Sequence, residues 1–197
     1  MDERFFEEVI SRAVATGDWS NLEEWITKES SFSFNYGSSP DDAPFSDQVF
    51  DLILGLLKQQ EFLEAEGSFN VLRILEYDYS TLSDHQKEEL LPALEAAYSK
   101  FRSSTSWFII SELLGEYFGN DAALQTLCRL RSISDEDSRS LLPMGLLHIA
   151  KKCNDPDLSE RACVTLMQMR DDTSEQVLSE VEAAVQALEL SRKTETQ

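Results

Sequence analysis

Only two side chains of this chain, His85 and His148, have an ordinary pKa suited to proton transfer near neutral pH. His85 follows Ser83-Asp84 in a stretch that reads as a polar first helical turn, where an exposed histidine is commonplace. His148 stands among Leu146, Leu147 and Ile149, the setting of a histidine at the edge of a core. The cysteines, Cys128, Cys153 and Cys163, lack metal-ligand spacing and fall in apolar helical patterns, where a free thiol behaves as a small hydrophobe. Adjacent carboxylates such as Asp171-Asp172 could do general acid–base work. With 37 acids in the chain, however, neighbouring pairs are expected by chance. There is no GxxxxGK[ST], GxGxxG, HExxH or GxSxG, and no ExxH pair for a di-metal bundle. The expectation is a protein that is not an enzyme, with no catalytic residue, no cofactor and no metal site.

What the chain has in excess is charge. It carries 37 acidic and 17 basic side chains, a net charge of −20. Such a field repels phosphate backbones, which argues against direct nucleic-acid binding, and attracts basic proteins, speeding encounter with them. The acids are unevenly placed: 15 against 4 bases up to Glu66, 9 against 6 from Gly67 to Arg131, and 13 against 7 from Ser132 onward. No apolar run approaches the roughly 20 residues that cross a bilayer, and the start, Met1-Asp2-Glu3-Arg4, lacks a signal-peptide core. Together with the odd cysteine count, this predicts a cytoplasmic protein in a reducing setting, away from the membrane.

The apolar residues recur at helical spacing almost throughout. Phe5, Phe6, Val9, Ile10, Ala13 and Val14 form one stripe, ended by Gly17, and Trp19, Leu22, Trp25 and Ile26 form a second. Residues 1–28 are therefore expected to make an amino-terminal capping hairpin. Residues 29–45, rich in serine, glycine and proline, read as a long loop in which Phe32, Phe34 and Tyr36 alternate. Helices resume at Ser46-Asp47, a favourable start because serine accepts a backbone N–H and aspartate suits the positive helix end. A following helix ends near Tyr77.

From Thr81 the pattern repeats. Ser83-Asp84 and Leu90-Leu91-Pro92 recur 51 positions on as Ser134-Asp135 and Leu141-Leu142-Pro143, and Asp121, Gln125 and Leu127 align with Asp172, Gln176 and Leu178. A fixed interval held over several helices marks a duplicated supersecondary unit, here of three helices. Pro92 and Pro143 either kink a helix or mark its true first turn. The tail, 191–197, is polar. The fold expected is all-α: a single domain of about ten helices arranged as a short right-handed α-solenoid, with the repeats spanning 46–190.

Stacked units would bring their second-helix exits to one edge: Glu76-Tyr77-Asp78-Tyr79, then Glu116 and Tyr117 with Asp121, then Asp171-Asp172. Tyrosines in an acidic field suit a lysine- or arginine-rich protein partner. Tyr36, Asp41 and Asp42 of the long loop complete the partner-binding set.

The amphipathic helices between Ser46 and Leu190, with their recurring Ser-Asp and Leu-Leu-Pro, resemble HEAT or armadillo repeats, although the 37 residues from Ser46 to Ser83 depart from the longer interval. That resemblance implies a protein-binding scaffold. In type, a small, strongly acidic chain without catalytic motifs also resembles the bacterial immunity proteins that neutralise nuclease toxins, as in contact-dependent growth inhibition. That likeness implies a monomer binding a basic nuclease domain one to one, a ribonuclease in preference to a deoxyribonuclease. A general scaffold and a carboxylate-dependent helical-repeat enzyme are the alternatives.

Overall fold

The computed structural model of the protein describes residues 3–19, 45–65 and 67–195. These are helical, with short 3₁₀ and π turns and no strand among the described residues, so the chain is all-α as its periodicity predicts. The helices are α1 (Glu3–Thr16), α2 (Asp47–Leu56), α3 (Gln60–Glu64), α4 (Phe69–Tyr77), α5 (Asp84–Tyr98) and α6 (Ser104–Glu112). After a π-helical turn (Leu113–Phe118) come α7 (Asp121–Leu130), α8 (Glu136–Ser140), α9 (Leu142–Lys152), α10 (Pro156–Gln168) and α11 (Glu175–Glu195). The chain groups into two compact units, 1–106 and 107–197. The second helix of the expected capping hairpin beyond Trp19 and the loop up to Pro44 lie outside the described residues.

In the first unit α1 packs on α2, and α2 on α5. Val9, Ile10, Ala13, Val49, Phe50 and Ile53 supply the buried faces, as their 3.6-residue spacing requires. Gly17, at φ 67°, ends α1 in the left-handed region that glycine enters without steric cost. Trp19 meets Phe62 edge to face, with ring centroids 4.8 Å apart, and Phe62 meets Phe101 at 6.4 Å. Phe101 falls beyond the end of α5 but is fully buried.

Two of the three Ser-Asp starts, Ser46 and Ser83, form as expected. Ser46 Oγ accepts from Val49 N, and Ser83 with Gln86 makes a reciprocal capping box at the start of α5. Gln86 does more than cap. Its carboxamide oxygen accepts from Ser83 N at 2.9 Å, while its amide donates to the Phe45 carbonyl at 3.2 Å and to Asp47 Oδ1 at 3.0 Å. One buried side chain thus ties the first turns of α2 and α5 together. Replacing it, Gln86→Ala, leaves a backbone N–H and a backbone carbonyl without these partners and is expected to cost about 2 kcal/mol. Urea denaturation of the variant checks this; a loss near zero would mean that water substitutes for the side chain.

The second unit is built around α9, which touches α7, α8, α10, α11 and the π turn. The three-helix order recurs. Helices α5, α6 and α7 begin at 84, 104 and 121, and α8, α10 and α11 at 136, 156 and 175, intervals of 52, 52 and 54. The two prolines resolve into the two expected alternatives. Pro92 lies inside α5, whereas Pro143 occupies the first turn of α9 after a break at Leu141. The gapless alignment slips locally: Ser83 caps α5 but Asp135, not Ser134, caps α8. Asp121 opens α7, while its counterpart Asp172 precedes α11, at whose start Ser174 Oγ accepts from Val177 N.

The second helix of the repeat departs from its simple pattern. It is α-helical only to Glu112, then takes a π turn from Leu113 to Phe118 and closes on Gly119 at φ 49°. Gly115 in that turn faces Gly145 of α9. A Cβ at 115 would stand 2.7 Å from Gly145 Cα, and one at 145 would stand 2.8 Å from the Ser111 carbonyl oxygen. Two missing Cβ atoms therefore let the backbones meet, and the widened turn carries Glu116 over α9.

Candidate functional site

Two features of the second unit could do chemistry or recognition. The first is the cluster that the π turn creates. The Glu116 carboxylate meets His148 Nδ1 and Lys152 Nζ, which lie four residues apart on α9 and so share one face. Burial pushes the Glu116 carboxyl up, but the Lys152 hydrogen bond and the charges of His148 and Lys152 outweigh it and hold the carboxyl below its usual range. Burial also lowers the His148 pKa, reinforced by Lys152 and Lys151, and the opposing pull of Glu116 does not restore it. His148 is thus neutral at pH 7, and this pairing favours the tautomer with the proton on Nδ1. Both groups bind protons less readily in the folded chain than in the unfolded one, so both contribute stability at neutral pH. That contribution fades as pH drops below about 6.5 for His148 and below about 4.5 for Glu116.

The cluster joins two elements of one unit, and that is its evident effect. Removing the carboxylate charge, Glu116→Gln, takes away the influence that raises the His148 pKa. Its midpoint is therefore expected to fall. Titration of the imidazole signals by NMR reads this directly; an unchanged or raised midpoint would mean that Glu116 does not sit against the ring in solution.

The second feature is a groove along α10. Its core-facing residues, Leu158, Ala162 and Leu166, with Met169 just past the helix end, are buried, as their three-and-four spacing requires. On the opposite side Val164 is 50% exposed and Met167 46%. One hollow of about 570 Å³ lies between α7 and α10, walled by Leu124 and Cys128 on one side and Arg161 and Val164 on the other. A second, of about 700 Å³, continues over Cys163, Val164 and Met167 to Asp171, and the two share Glu160 and Val164. Asp157 and Glu160 stand at the amino-terminal end of this strip and Asp171 at its other end.

The sequence-predicted partner-binding residues fall into three sets. Tyr36, Asp41 and Asp42 lie outside the described residues. Glu76, Tyr77, Asp78 and Tyr79 belong to the first unit. Glu76 is buried and pairs with Arg73 at 2.5 Å, and the other three are half-buried. Burial and the nearby charge of Asp84 keep the Tyr79 phenol protonated, with Lys87 Nζ 5.1 Å from its ring centroid. The rest belong to the second unit. Tyr117 is exposed, Glu116 sits in the cluster above, and Asp121 pairs with Arg161 at 2.6 Å. Asp172 accepts two hydrogen bonds from Arg139, each 3.0 Å, while Asp171 is exposed and lines the α10 groove.

Sequence reasoning missed Val164 and Met167 because it searched the surface for acids and tyrosines. The signal was present as a remainder: once 158, 162, 166 and 169 are assigned to the core stripe of α10, Val164 and Met167 are the large apolar residues left on its other side. Among the described residues no helix is long and apolar enough to cross a membrane, and no three His, Cys, Asp or Glu side chains converge as a metal site. Comparison with protein-family models, with curated proteins and with solved structures found no match to this chain.

Proposed function

We propose that this protein is a protein-binding inhibitor: an immunity protein that engages and neutralises a basic nuclease toxin, a ribonuclease in preference to a deoxyribonuclease. The observation that carries this reading is where the positive charge goes. Arg73, Arg139, Lys152, Arg161 and Arg170 each lie against a carboxylate of their own unit. These five of the 17 bases are engaged internally, and the excess of 37 acids over 17 bases sets the field outside the molecule. A nuclease cleft is positive because it must hold phosphates, so an acidic surface is complementary to it and accelerates encounter. Exposed carboxylates such as Asp84, Glu88, Glu136, Asp137, Glu160 and Asp171 are available for that contact.

The test is direct. The purified chain is mixed with the nuclease encoded beside its gene, and both complex formation and nuclease activity are followed. A one-to-one complex with suppressed activity is expected. The association rate should fall at least tenfold as salt is raised from about 50 to about 500 mM, because steering is screened. Failure to bind any neighbouring gene product, or binding that leaves the nuclease active, would overturn the reading.

A further inference from the structure

The outer face of α10 is built unlike an ordinary solvated helix surface. The helix is 13 residues long and amphipathic, with its core stripe satisfied by the rest of the unit. Its other side carries a second apolar strip, Cys163, Val164 and Met167, at an open hollow of about 700 Å³ lined by α10 and the turn that follows it. The charged side chains lining that groove, Glu160 and Asp171, are both acidic; a cation, Arg131, reaches its edge only to donate to Gln168 at 3.1 Å. On the α7 side Arg161 is held by Asp121 at 2.6 Å, and the Arg129 guanidinium donates to Thr126 Oγ1 at 2.9 Å, so both cations are engaged locally.

An apolar strip with acids at either end has a definite complement. Three-and-four spacing along α10 puts Val164 and Met167 on one line with Glu160 one turn before, and Asp171, in the 3₁₀ turn that follows the helix, borders the far end of the groove. A second helix laid along that line would bury apolar residues of its own at i, i+3/i+4 and i+7 against them and place lysines or arginines beside the terminal acids. Methionine suits such a surface because its unbranched thioether adapts to the partner's shape.

Resting on the inhibitor reading above, we infer that the α10 groove is where the protein grips its partner, and that the occupant is a basic amphipathic helix of another protein. The occupant's apolar face seats on Val164 and Met167, and its cations meet Glu160 and Asp171. A second copy of this chain fits less well, because its net charge of −20 would bring like charges together.

The probe is a fluorescein-labelled synthetic peptide of about 18 residues, enough to match α10 at about 1.5 Å per residue. It has leucines at i, i+3/i+4 and i+7 and lysines flanking them, and its control is the same composition scrambled so that no apolar face forms. Fluorescence anisotropy with the full chain is expected to show the amphipathic peptide bound at least tenfold tighter than the scrambled one. The double variant Val164→Asp, Met167→Asp should abolish that preference while leaving the melting temperature unchanged, since both side chains are half exposed. Glu160→Lys with Asp171→Lys should weaken the peptide at least tenfold and make its binding less salt-dependent.

Equal binding of the two peptides, or an unaltered preference in the Val164/Met167 variant, overturns the inference. So does a concentration-dependent dimer that this variant abolishes, which would make a second copy the occupant. The two readings fail separately. A nuclease that binds the wild type and the Val164/Met167 variant equally leaves the inhibitor reading standing and removes the groove. A groove that takes the amphipathic peptide, in a chain that inhibits no neighbouring nuclease, does the reverse.

Discussion

Gly115→Ala is expected to destabilise the second unit by about 3 kcal/mol, among the largest losses that a single added methyl group can cause. The added carbon would stand 2.7 Å from Gly145 Cα and 2.8 Å from its carbonyl carbon. These are backbone atoms of a helix held on several sides, so no side-chain rotation relieves the clash. Relief requires the π turn and α9 to separate, and separation opens the contact among Leu113, Leu114, Leu146 and their neighbours, all buried. Gly55→Ala is the internal comparison. Gly55 lies inside α2, and a Cβ there meets nothing within 4 Å. That substitution is expected to stabilise the chain by about 0.5–1 kcal/mol, through helix propensity and a smaller unfolded ensemble. The two alanines should therefore move the urea midpoint in opposite directions. A second readout is local: because the Gly115 contact sets the height of Glu116 over α9, Gly115→Ala should also shift the His148 titration. A variant as stable as the parent would mean that the helices are farther apart in solution.

The Arg139–Asp172 pair should be the next most sensitive point. Its side chains are 12% and 15% exposed, and the guanidinium grips the carboxylate through two nitrogens. Arg139 also donates to the carbonyls of Ile133 at 2.7 Å and Ser134 at 2.9 Å, while Asp172 Oδ1 accepts from Ser174 N at 2.9 Å. Arg139→Met strands a largely buried carboxylate and two backbone acceptors, at an expected cost of about 3 kcal/mol at pH 7. Adding Asp172→Asn should recover part of that loss, which a double-mutant cycle measures. The pH dependence has a fixed sign. The Arg139 hydrogen bond, opposed by burial and helped by the Ser174 amide, holds the Asp172 carboxyl below its ordinary range. Below about pH 4 the unfolded chain takes up a proton that the folded chain resists, so the pair's contribution shrinks as pH falls. Arg139→Met should flatten that acid limb, and an identical limb in the variant would show that other carboxylates produce it.

The sequence made local features legible and left encounters between distant residues hidden. Ser46, Ser83 and Gly17 declare helix ends by chemistry confined to a few residues, and all three stand where they were expected. The 51-residue interval revealed a recurring three-helix order, but capping shifted by a residue or more wherever the neighbouring side chain capped better, as at Asp135. The Gly115–Gly145 approach could not be read, because a glycine in a helical pattern does not disclose which backbone it will meet. The same holds for Glu116. His148 and Lys152 announce a shared face by their spacing, yet their carboxylate partner is separated from them by more than 30 residues and arrives only through a π turn that no periodicity signals.

The ties between α8 and α11 have a kinetic meaning beyond their strength. Helix α8 has five residues, too few to persist alone. It is fastened to α11 by contact along the helix and by Gln176 donating to Ser140 Oγ at 3.1 Å, and to the turn leading into α11 by Arg139 on Asp172. Its hydrogen-bonded amides, Ser138 and Arg139, are therefore expected to exchange with solvent when the carboxy-terminal helix lifts away. The two segments should open as one cooperative block, with matched hydrogen-exchange protection despite the distance between them in sequence.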